Sequence, residues 1–300
     1  HIKIMIDILS EFPELPRTVL RDIKKTVDMG FKEFSRSYGD AIEGFFFPLL
    51  KLLVFIEEVL IATPWPIIIG IVAGLGYWAT RSWKLVLGVI VALFLVGLFG
   101  MWEDTMETSG IIIVSTLVSI LIGIPLGIAM SKSDTAQSIV TPILDFMQTL
   151  PPFVYLVPVV MLLGIGKVPG LIAVVVYAVP PVVRLTNLGI REVDKEIVEA
   201  AESFGATPRQ KLYKVQIPLA MPTIFAGINQ TIMMALAMVI IASMIGVKGL
   251  GLEVLRSITN QYLALGLLNG AAIVVIAIIF DRISQAYGKR IQEHRKGGHH

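Results

Sequence analysis

Long apolar runs separated by short polar turns dominate the chain. A membrane-spanning helix needs about 20 mostly apolar residues, and seven segments reach or approach that length. They cover residues 64–80, 84–102, 109–130, 140–163, 168–184, 221–246 and 267–286. Internal prolines predict kinked or broken helices in the fourth and fifth segments. These prolines are Pro151, Pro152, Pro158, Pro180 and Pro181.

The first 62 residues follow a different pattern. Apolar residues recur at steps of three and four and predict an amphipathic helix, suited to a membrane surface or a neighbouring subunit. They are Leu20, Ile23, Val27, Phe31, Phe34, Tyr38 and Ile42. Residues 42–62 are more apolar but carry four charges, at Glu43, Lys51, Glu57 and Glu58. An in-plane helix is preferred there over an eighth span, which would place the N-terminus inside.

Composition agrees with a membrane protein. Of the 300 residues, 55% are hydrophobic and 16% are charged, against about 45–50% and about 25% in soluble domains. Such a chain is not disordered. The absence of cysteine excludes a disulfide scaffold. The four histidines lie at the chain ends, so neither a histidine metal site nor catalysis by histidine is expected. A net charge of +2 gives no reason to expect nucleic acid.

The basic residues predict the orientation, because cytoplasmic turns are enriched in Lys and Arg. Those in the turns and tail are Arg81, Lys84, Lys132, Arg184, Arg191, Lys195, Arg209, Lys211, Lys214, Lys289, Arg290, Arg295 and Lys296. With seven spans they all fall on the cytoplasmic side, and the C-terminus is inside. Residues 288–300 are interpreted as a cytoplasmic tail with a tag remnant.

The polar stretch 187–218 cannot be a span. One short helix is predicted through Ile197–Phe204, with Gly205 as its C-terminal cap. Thr207 is predicted to cap a second helix that Pro218 ends. The result is a small exposed helix-turn-helix, suited to docking in a groove of another protein. An ordinary amphipathic connection between spans is the alternative.

The motifs of this stretch carry a family resemblance. Glu199-Ala200-Ala201, then Gly205, then Val215-x-Ile217-Pro218 resembles the EAA loop of ABC importer permeases, although the family usually has Ile and Leu where this chain has Val215 and Ile217. Further segments resemble the glycine betaine/proline betaine branch, over about 108–286. They are 145–155, 180–190, 227–232, 240–246 and 249–251.

The resemblance implies the all-α transmembrane fold of a type I ABC importer. Its predicted parts are scaffold helices at 1–62, two accessory spans at 63–107, the transmembrane core at 108–287 with the coupling loop 187–218, and the tail at 288–300. The residues implied to couple to an ATPase are Glu199, Ala200, Ala201, Ser203, Gly205 and Thr207.

The resemblance also implies partners: a second copy of this chain, two ATPase subunits and a separate substrate-binding protein in the bacterial inner membrane. No phosphate-binding loop of the form Gly-x-x-x-x-Gly-Lys-Ser/Thr occurs. The chain is therefore expected to be a translocation subunit with no cofactor of its own and not an enzyme, while partner ATPases bind ATP and Mg²⁺. The expected substrate is glycine betaine or a related osmoprotectant. The alternatives are a permease for choline or methionine, and a secondary transporter or channel.

Polar side chains inside spans usually face the interior of a helix bundle. The candidates for a translocation path are Asp145, Gln148, Thr149, Tyr155, Asn229, Gln230 and Ser243. Hydrogen bonding between helices is the alternative role for each of them. Arg184 and Arg191 are interpreted as orientation anchors rather than ligands.

Overall fold

A computed structural model describes residues 14–296, with side chains described for residues 14–288. The predicted tag remnant at 297–300 lies outside the described residues. Every regular element between 14 and 296 is helical. The α-helices are α1 Arg17–Ala62, α2 Trp65–Thr80, α3 Trp83–Leu98, α4 Trp102–Lys132, α5 Asp134–Thr149, α6 Pro152–Leu163, α7 Lys167–Arg191, α8 Lys195–Ser203, α9 Pro208–Gln210, α10 Ile217–Ala242, α11 Leu250–Asn260 and α12 Leu263–Lys296.

Five spans are supported by length and hydropathy in the described part of the chain. Four are continuous helical segments: α4, α7, Pro208–Ile245, which contains α9 and α10, and Leu263–Gly288 of α12. The fifth is the pair α5 and α6, which bends by 100°. Helices α2 and α3 are apolar but only 16 residues long, which is short for a bilayer. The total of seven spans therefore stays a prediction.

The bend between α5 and α6 has a local cause. A residue that precedes proline is pushed out of the helical region, and Leu150 and Pro151 are both extended, with ψ of 132° and 137°. Pro152 then starts α6 at a position where a missing N–H costs nothing. The predicted break of the fourth segment is thus confirmed. Helix α7, in contrast, continues as a helix through Pro180 and Pro181.

Helix α7 lies at the centre of the bundle, because glycines on its neighbours allow close approach. A Cβ on Gly123 of α4 would lie 2.3 Å from Val182 of α7. On the other side, a Cβ on Gly227 of α10 would lie 3.1 Å from the Cα of Val182. The core is built where α4, α7 and α10 cross.

The N-terminal region forms one helix instead of two. Helix α1 runs for 46 residues with Pro48 inside it, and it contacts the core near its middle and near its C-terminal end. Ser35 donates a hydrogen bond to the Met161 carbonyl at 2.9 Å. Glu57, only 3% exposed, pairs with Lys167 and packs against Gly110 of α4.

Candidate coupling surface and translocation residues

The predicted coupling loop is a helical hairpin whose turns are defined by local hydrogen bonds. Asp194 caps α8 by accepting from the Glu196 N–H at 2.9 Å. At the other end of α8, Gly205 adopts a φ of 79°. Its N–H donates to the Glu202 carbonyl at 2.8 Å, and the next N–H along the chain donates to Ala201 at 3.0 Å. These two bonds form a Schellman motif, which confirms the predicted cap at Gly205.

The second helix of the hairpin begins as the sequence predicts. Thr207 and Gln210 form a capping box: the Gln210 N–H donates to Thr207 Oγ1 at 3.3 Å, and the Thr207 N–H donates to Gln210 Oε1 at 2.9 Å. Pro208 occupies the first helical position, where its fixed φ is favourable. Lys211 pairs with Glu202 of α8. The two arms of the hairpin are therefore joined by a side-chain contact as well as by the turn.

The prediction that Pro218 ends this helix is wrong. Residues Lys211–Gln216 form a π-helix, in which the Ile217 N–H donates to Leu212, five residues earlier. Pro218, which has no N–H to donate, lies in the first turn of α10 directly after the π-helix. The wider π-helical turn takes up the local change in geometry. The hairpin consequently continues into a long membrane helix without an intervening loop.

The base of the hairpin rests on a small apolar cluster. Buried residues from α7, the turn after it, the π-helix and α10 form it, and partly buried residues of α4, α8 and α10 pack against them. The buried members are Ile190, Val193, Leu212, Ala220 and Ile224. Since Leu212 is fully buried, the π-helical segment is held against the transmembrane core. Displacement of the hairpin therefore acts directly on α7 and α10.

The tip of the hairpin presents apolar surface outward. Phe204 is 92% exposed and Ile197 is 44% exposed, and Ala200 between them is also exposed. Of the predicted coupling residues, Glu199, Ser203, Gly205 and Thr207 are exposed, and Ala201 is half-buried. Phe204 was not among the predicted coupling residues. The signal for it was available: a large aromatic residue next to the capping glycine of an otherwise polar loop.

Arg191 fixes the start of the hairpin to the neighbouring helices. It forms an ion pair with Asp134 of α5 at 2.8 Å. It also donates to the Met130 carbonyl at 2.9 Å and to Asn187 Oδ1 at 3.1 Å. A cation at the last turn of α4 interacts favourably with the free carbonyls of that helix. Arg191 thus joins α4, α5 and α7 beside the hairpin.

The predicted path residues fall into three separate places. Asp145, Gln148 and Thr149 lie exposed near the end of α5. Asp145 pairs with Arg184 of α7. Tyr155 is buried, and its hydroxyl donates to the Met147 carbonyl across the bend. Tyr155 therefore holds α6 against α5.

Asn229 and Ser243 lie elsewhere. Asn229 donates to Asp281 Oδ1 of α12 at 2.9 Å and accepts from Ser284 at 2.6 Å. With the exposed Gln230 it lines a cavity of about 370 Å³ between α10 and α12. Ser243, directly after the end of α10, is buried and donates to the carbonyl of Ile240 at 2.6 Å. Within the described residues no three His, Asp or Glu side chains form a potential metal site.

Comparison with known families decides the identity of this bundle. Residues 119–293 match the model of the binding-protein-dependent transport system inner membrane component family. The chain belongs to this family. The matched region contains the predicted coupling hairpin, the bent pair α5 and α6, and the three spans that follow.

Similar proteins extend the match over most of the chain. A glycine betaine/carnitine transport permease protein of Listeria monocytogenes is 45% identical, over 93% of this chain and 98% of the relative. The glycine betaine/proline betaine permease protein of Escherichia coli is 47% identical, over 84% and 71%. A glycine betaine permease protein of Bacillus subtilis is 42% identical, over 90% and 95%. The similarity therefore reaches into the N-terminal 60 residues, beyond the motifs found in the sequence.

The fold is that of an ABC importer transmembrane domain. A chain of an inward-facing methionine ABC transporter matches with a TM-score of 0.55 and 19% identity, over 64% of this chain and 95% of that one. A second crystal form gives a TM-score of 0.54 with 22% identity, over 62% and 92%. The predicted fold class is confirmed: the chain is an all-α membrane permease subunit.

Proposed function

We propose that this chain carries glycine betaine or a related osmoprotectant across the bacterial inner membrane. The observation that supports the substrate is the set of relatives named for glycine betaine transport, at 42–47% identity over 84–93% of this chain. Relatives named for trimethylamine N-oxide and choline transport are less similar, at 35% and 32% identity. Glycine betaine is therefore favoured over choline.

The exposed tip of the hairpin supports docking of an ATPase subunit. Phe204 and Ile197 expose apolar surface to water, which is unfavourable. Burial of that surface against another protein would be favourable. Ala200 lets a partner backbone approach closely. In the proposed complex, two ATPase subunits bind ATP and Mg²⁺ and each receives one hairpin. This chain supplies no catalytic group for ATP hydrolysis.

A second copy of this chain is proposed to complete the path. Charged side chains are costly in contact with lipid, yet Asp145 and Arg184 are both accessible in the single chain. Large apolar residues beside them are exposed as well, among them Phe146 and Phe153. A homodimer that encloses a water-filled space between the two copies of α5 and α6 would satisfy both sets of residues.

Transport in this proposal follows from the stiffness of the hairpin. ATP-driven closure of the two ATPases moves the hairpins toward one another. Because each hairpin continues into α10 through the π-helix, the motion reaches the spans without passing through a flexible loop. The spans then rock between inward- and outward-facing states, and ATP hydrolysis resets them. A separate binding protein delivers substrate on the outer side.

The contacts of α1 support an in-plane N-terminal helix. Ser35 and Glu57 are 22 residues apart on α1, or about 33 Å along a helix. Their partners, Met161 and Lys167, flank a single turn between α6 and α7. A helix that meets the same end of the bundle at both points lies along the membrane surface. The N-terminus is then proposed to be outside and the C-terminus cytoplasmic.

Co-purification tests the assignment against a secondary transporter or channel. The chain is expressed with the ATPase and binding-protein genes that neighbour its own, then purified through this subunit. The expected result is a stable complex whose ATP hydrolysis rises when the binding protein and glycine betaine are added. A chain that purifies alone and transports without ATP would overturn the proposal.

A further inference from the structure

The ion pair between Asp145 and Arg184 joins two membrane helices, but it does not use all the hydrogen-bond donors of the arginine. Asp145 Oδ1 accepts from Nη2 of Arg184. Arg184 Nε is buried and has no hydrogen-bond partner in the described part of the chain. A guanidinium presents parallel N–H groups that fit both oxygens of one carboxylate. Asp145 uses only part of that donor set.

The pair lies further along α5 and α7, toward the middle of the bundle, than the ion pair between Asp134 and Arg191. Arg184 precedes Arg191 by seven residues, about 10 Å along α7. Asp145 follows Asp134, the partner of Arg191, by 11 residues, about 16 Å along α5. The Asp145 and Arg184 side chains are nevertheless 56% and 35% exposed in the single chain. Charges at this depth must face water or protein, which places the pair on the proposed path.

We propose that Asp145 and Arg184 form a transit site for a zwitterion that carries a carboxylate and a quaternary ammonium group. This assignment rests on the proposed function. The substrate carboxylate replaces Asp145 at Nη2 of Arg184, and Asp145 is released to face the ammonium group. A quaternary ammonium has no N–H to donate, so charge and apolar contact must hold it. The exposed ring of Phe146, next to Asp145, offers an apolar aromatic surface there.

The charge balance of this exchange suits a site that must release its ligand. The empty pair is neutral, and so is the complex of the pair with a zwitterion. The ion pair between Asp145 and Arg184 is replaced by two ion pairs, one between Arg184 and the substrate carboxylate and one between Asp145 and the ammonium group. No unpaired charge is left inside the membrane. Binding is consequently weak and easily reversed. A cation without a carboxylate cannot free Asp145 from Arg184 in this way, which makes the pair selective for zwitterions.

Three variants of the complete complex test the site in proteoliposomes. Asp145→Asn removes the charge that would face the ammonium group. Exchange of the pair, as Asp145→Arg with Arg184→Asp, keeps an ion pair between α5 and α7 but reverses its direction. Asp28→Asn, an exposed carboxylate of α1, is the matched control. The measured quantity is the number of glycine betaine molecules taken up per ATP hydrolysed, with binding-protein-stimulated ATP hydrolysis recorded separately.

The expected result is an uptake per ATP at least tenfold lower for Asp145→Asn and for the exchanged pair. Stimulated ATP hydrolysis should stay within twofold, and Asp28→Asn should match the unaltered chain. An unchanged ratio in Asp145→Asn or in the exchanged pair would make the pair structural and overturn the site alone. Absence of uptake by the unaltered complex would overturn the proposed function together with the site. If the complex with the exchanged pair does not assemble, the uptake per ATP of Asp145→Asn decides whether the pair is a transit site.

Discussion

The guanidinium of Arg191 lies 2.8 Å from the carboxylate of Asp134 and joins the last turn of α7 to the first turn of α5. The Asp134 side chain is 92% exposed, and exposed ion pairs contribute only about 0–1 kcal/mol. The bond from Arg191 to the Met130 carbonyl, in contrast, is partly buried. Arg191 is therefore expected to hold the hairpin through α4 more than through Asp134.

Replacement of Arg191 should loosen the hairpin base. Arg191→Gln removes the charge at the end of α4, at a cost of about 0.3–1 kcal/mol, and also the bonds to Met130 and Asn187. We expect lower transport and a higher rate of ATP hydrolysis without binding protein. Asp134→Asn should change both rates by less than twofold. Equal defects in the two variants would assign the effect to the ion pair itself.

Glycine is required at position 205 because of the backbone conformation there, and not because a side chain would lack space. A Cβ at this position meets nothing within 4 Å among the described residues, but its φ of 79° costs other residues roughly 1–2 kcal/mol. Gly205→Ala measures that strain, and Gly205→Asp adds a carboxylate beside Phe204. We expect Gly205→Asp to insert into the membrane and to uncouple transport from ATP hydrolysis, with Gly205→Ala intermediate. Normal transport by Gly205→Asp would show that the turn does not contact the ATPase.

Phe204 should contribute most of the apolar contact with the ATPase. Burial of a phenylalanine side chain stabilises a complex by about 1.5–3 kcal/mol, or roughly tenfold to a hundredfold in affinity. Phe204→Ala should therefore lose ATPase during purification, whereas Phe204→Leu should retain most of it. Titration of the ATPase onto the permease in detergent gives both affinities. Equal affinities for the alanine variant and the unaltered chain would contradict the docking surface.

The crossing of α4 and α7 should not accept a side chain at Gly127. A Cβ there would lie 2.7 Å from the Val183 carbonyl oxygen and 2.6 Å from Thr186 Cβ. Overpacking of this kind costs about 1–3 kcal/mol, so Gly127→Ala should lower the unfolding temperature in detergent. The control is Gly44→Ala on α1, where a Cβ meets no atom of the described residues within 4 Å. A drop of the same size in both variants would contradict the close contact.

The side of the N-terminus can be measured directly, because the chain contains no native cysteine. Thr18→Cys and Thr63→Cys lie close to the two ends of α1. In right-side-out vesicles, an impermeant maleimide should label both positions if α1 lies along the outer surface. Labelling of Thr63→Cys alone would indicate that α1 crosses the membrane as an eighth span.

Local signals predicted the two helix caps of the hairpin correctly. Gly205 and Thr207 form their caps with residues fewer than five positions away, so the residues that determine the structure are adjacent in the sequence. The error at Pro218 has the same local origin. Proline usually ends a helix, and no local pattern predicted the π-helix that precedes Pro218 and leads into α10.

The side-chain pairs between helices could not be predicted in this way. The sequence pattern predicts Asp145 on a path and Arg184 at a membrane surface, yet the two residues form an ion pair although they lie 39 positions apart. Asn229 was expected on the path, but its amide is used by Asp281, 52 positions away. Such contacts depend on how the helices pack, and the periodicity of a single helix does not contain that information.

Uptake of labelled glycine betaine tests the central claim most directly. The complete complex is reconstituted in proteoliposomes with the binding protein on the outside and ATP inside. We predict accumulation that requires ATP, binding protein and this chain together, and that the Gly205→Asp variant abolishes. Accumulation without ATP would contradict the account, as would ATP-driven uptake of choline in the absence of any uptake of glycine betaine.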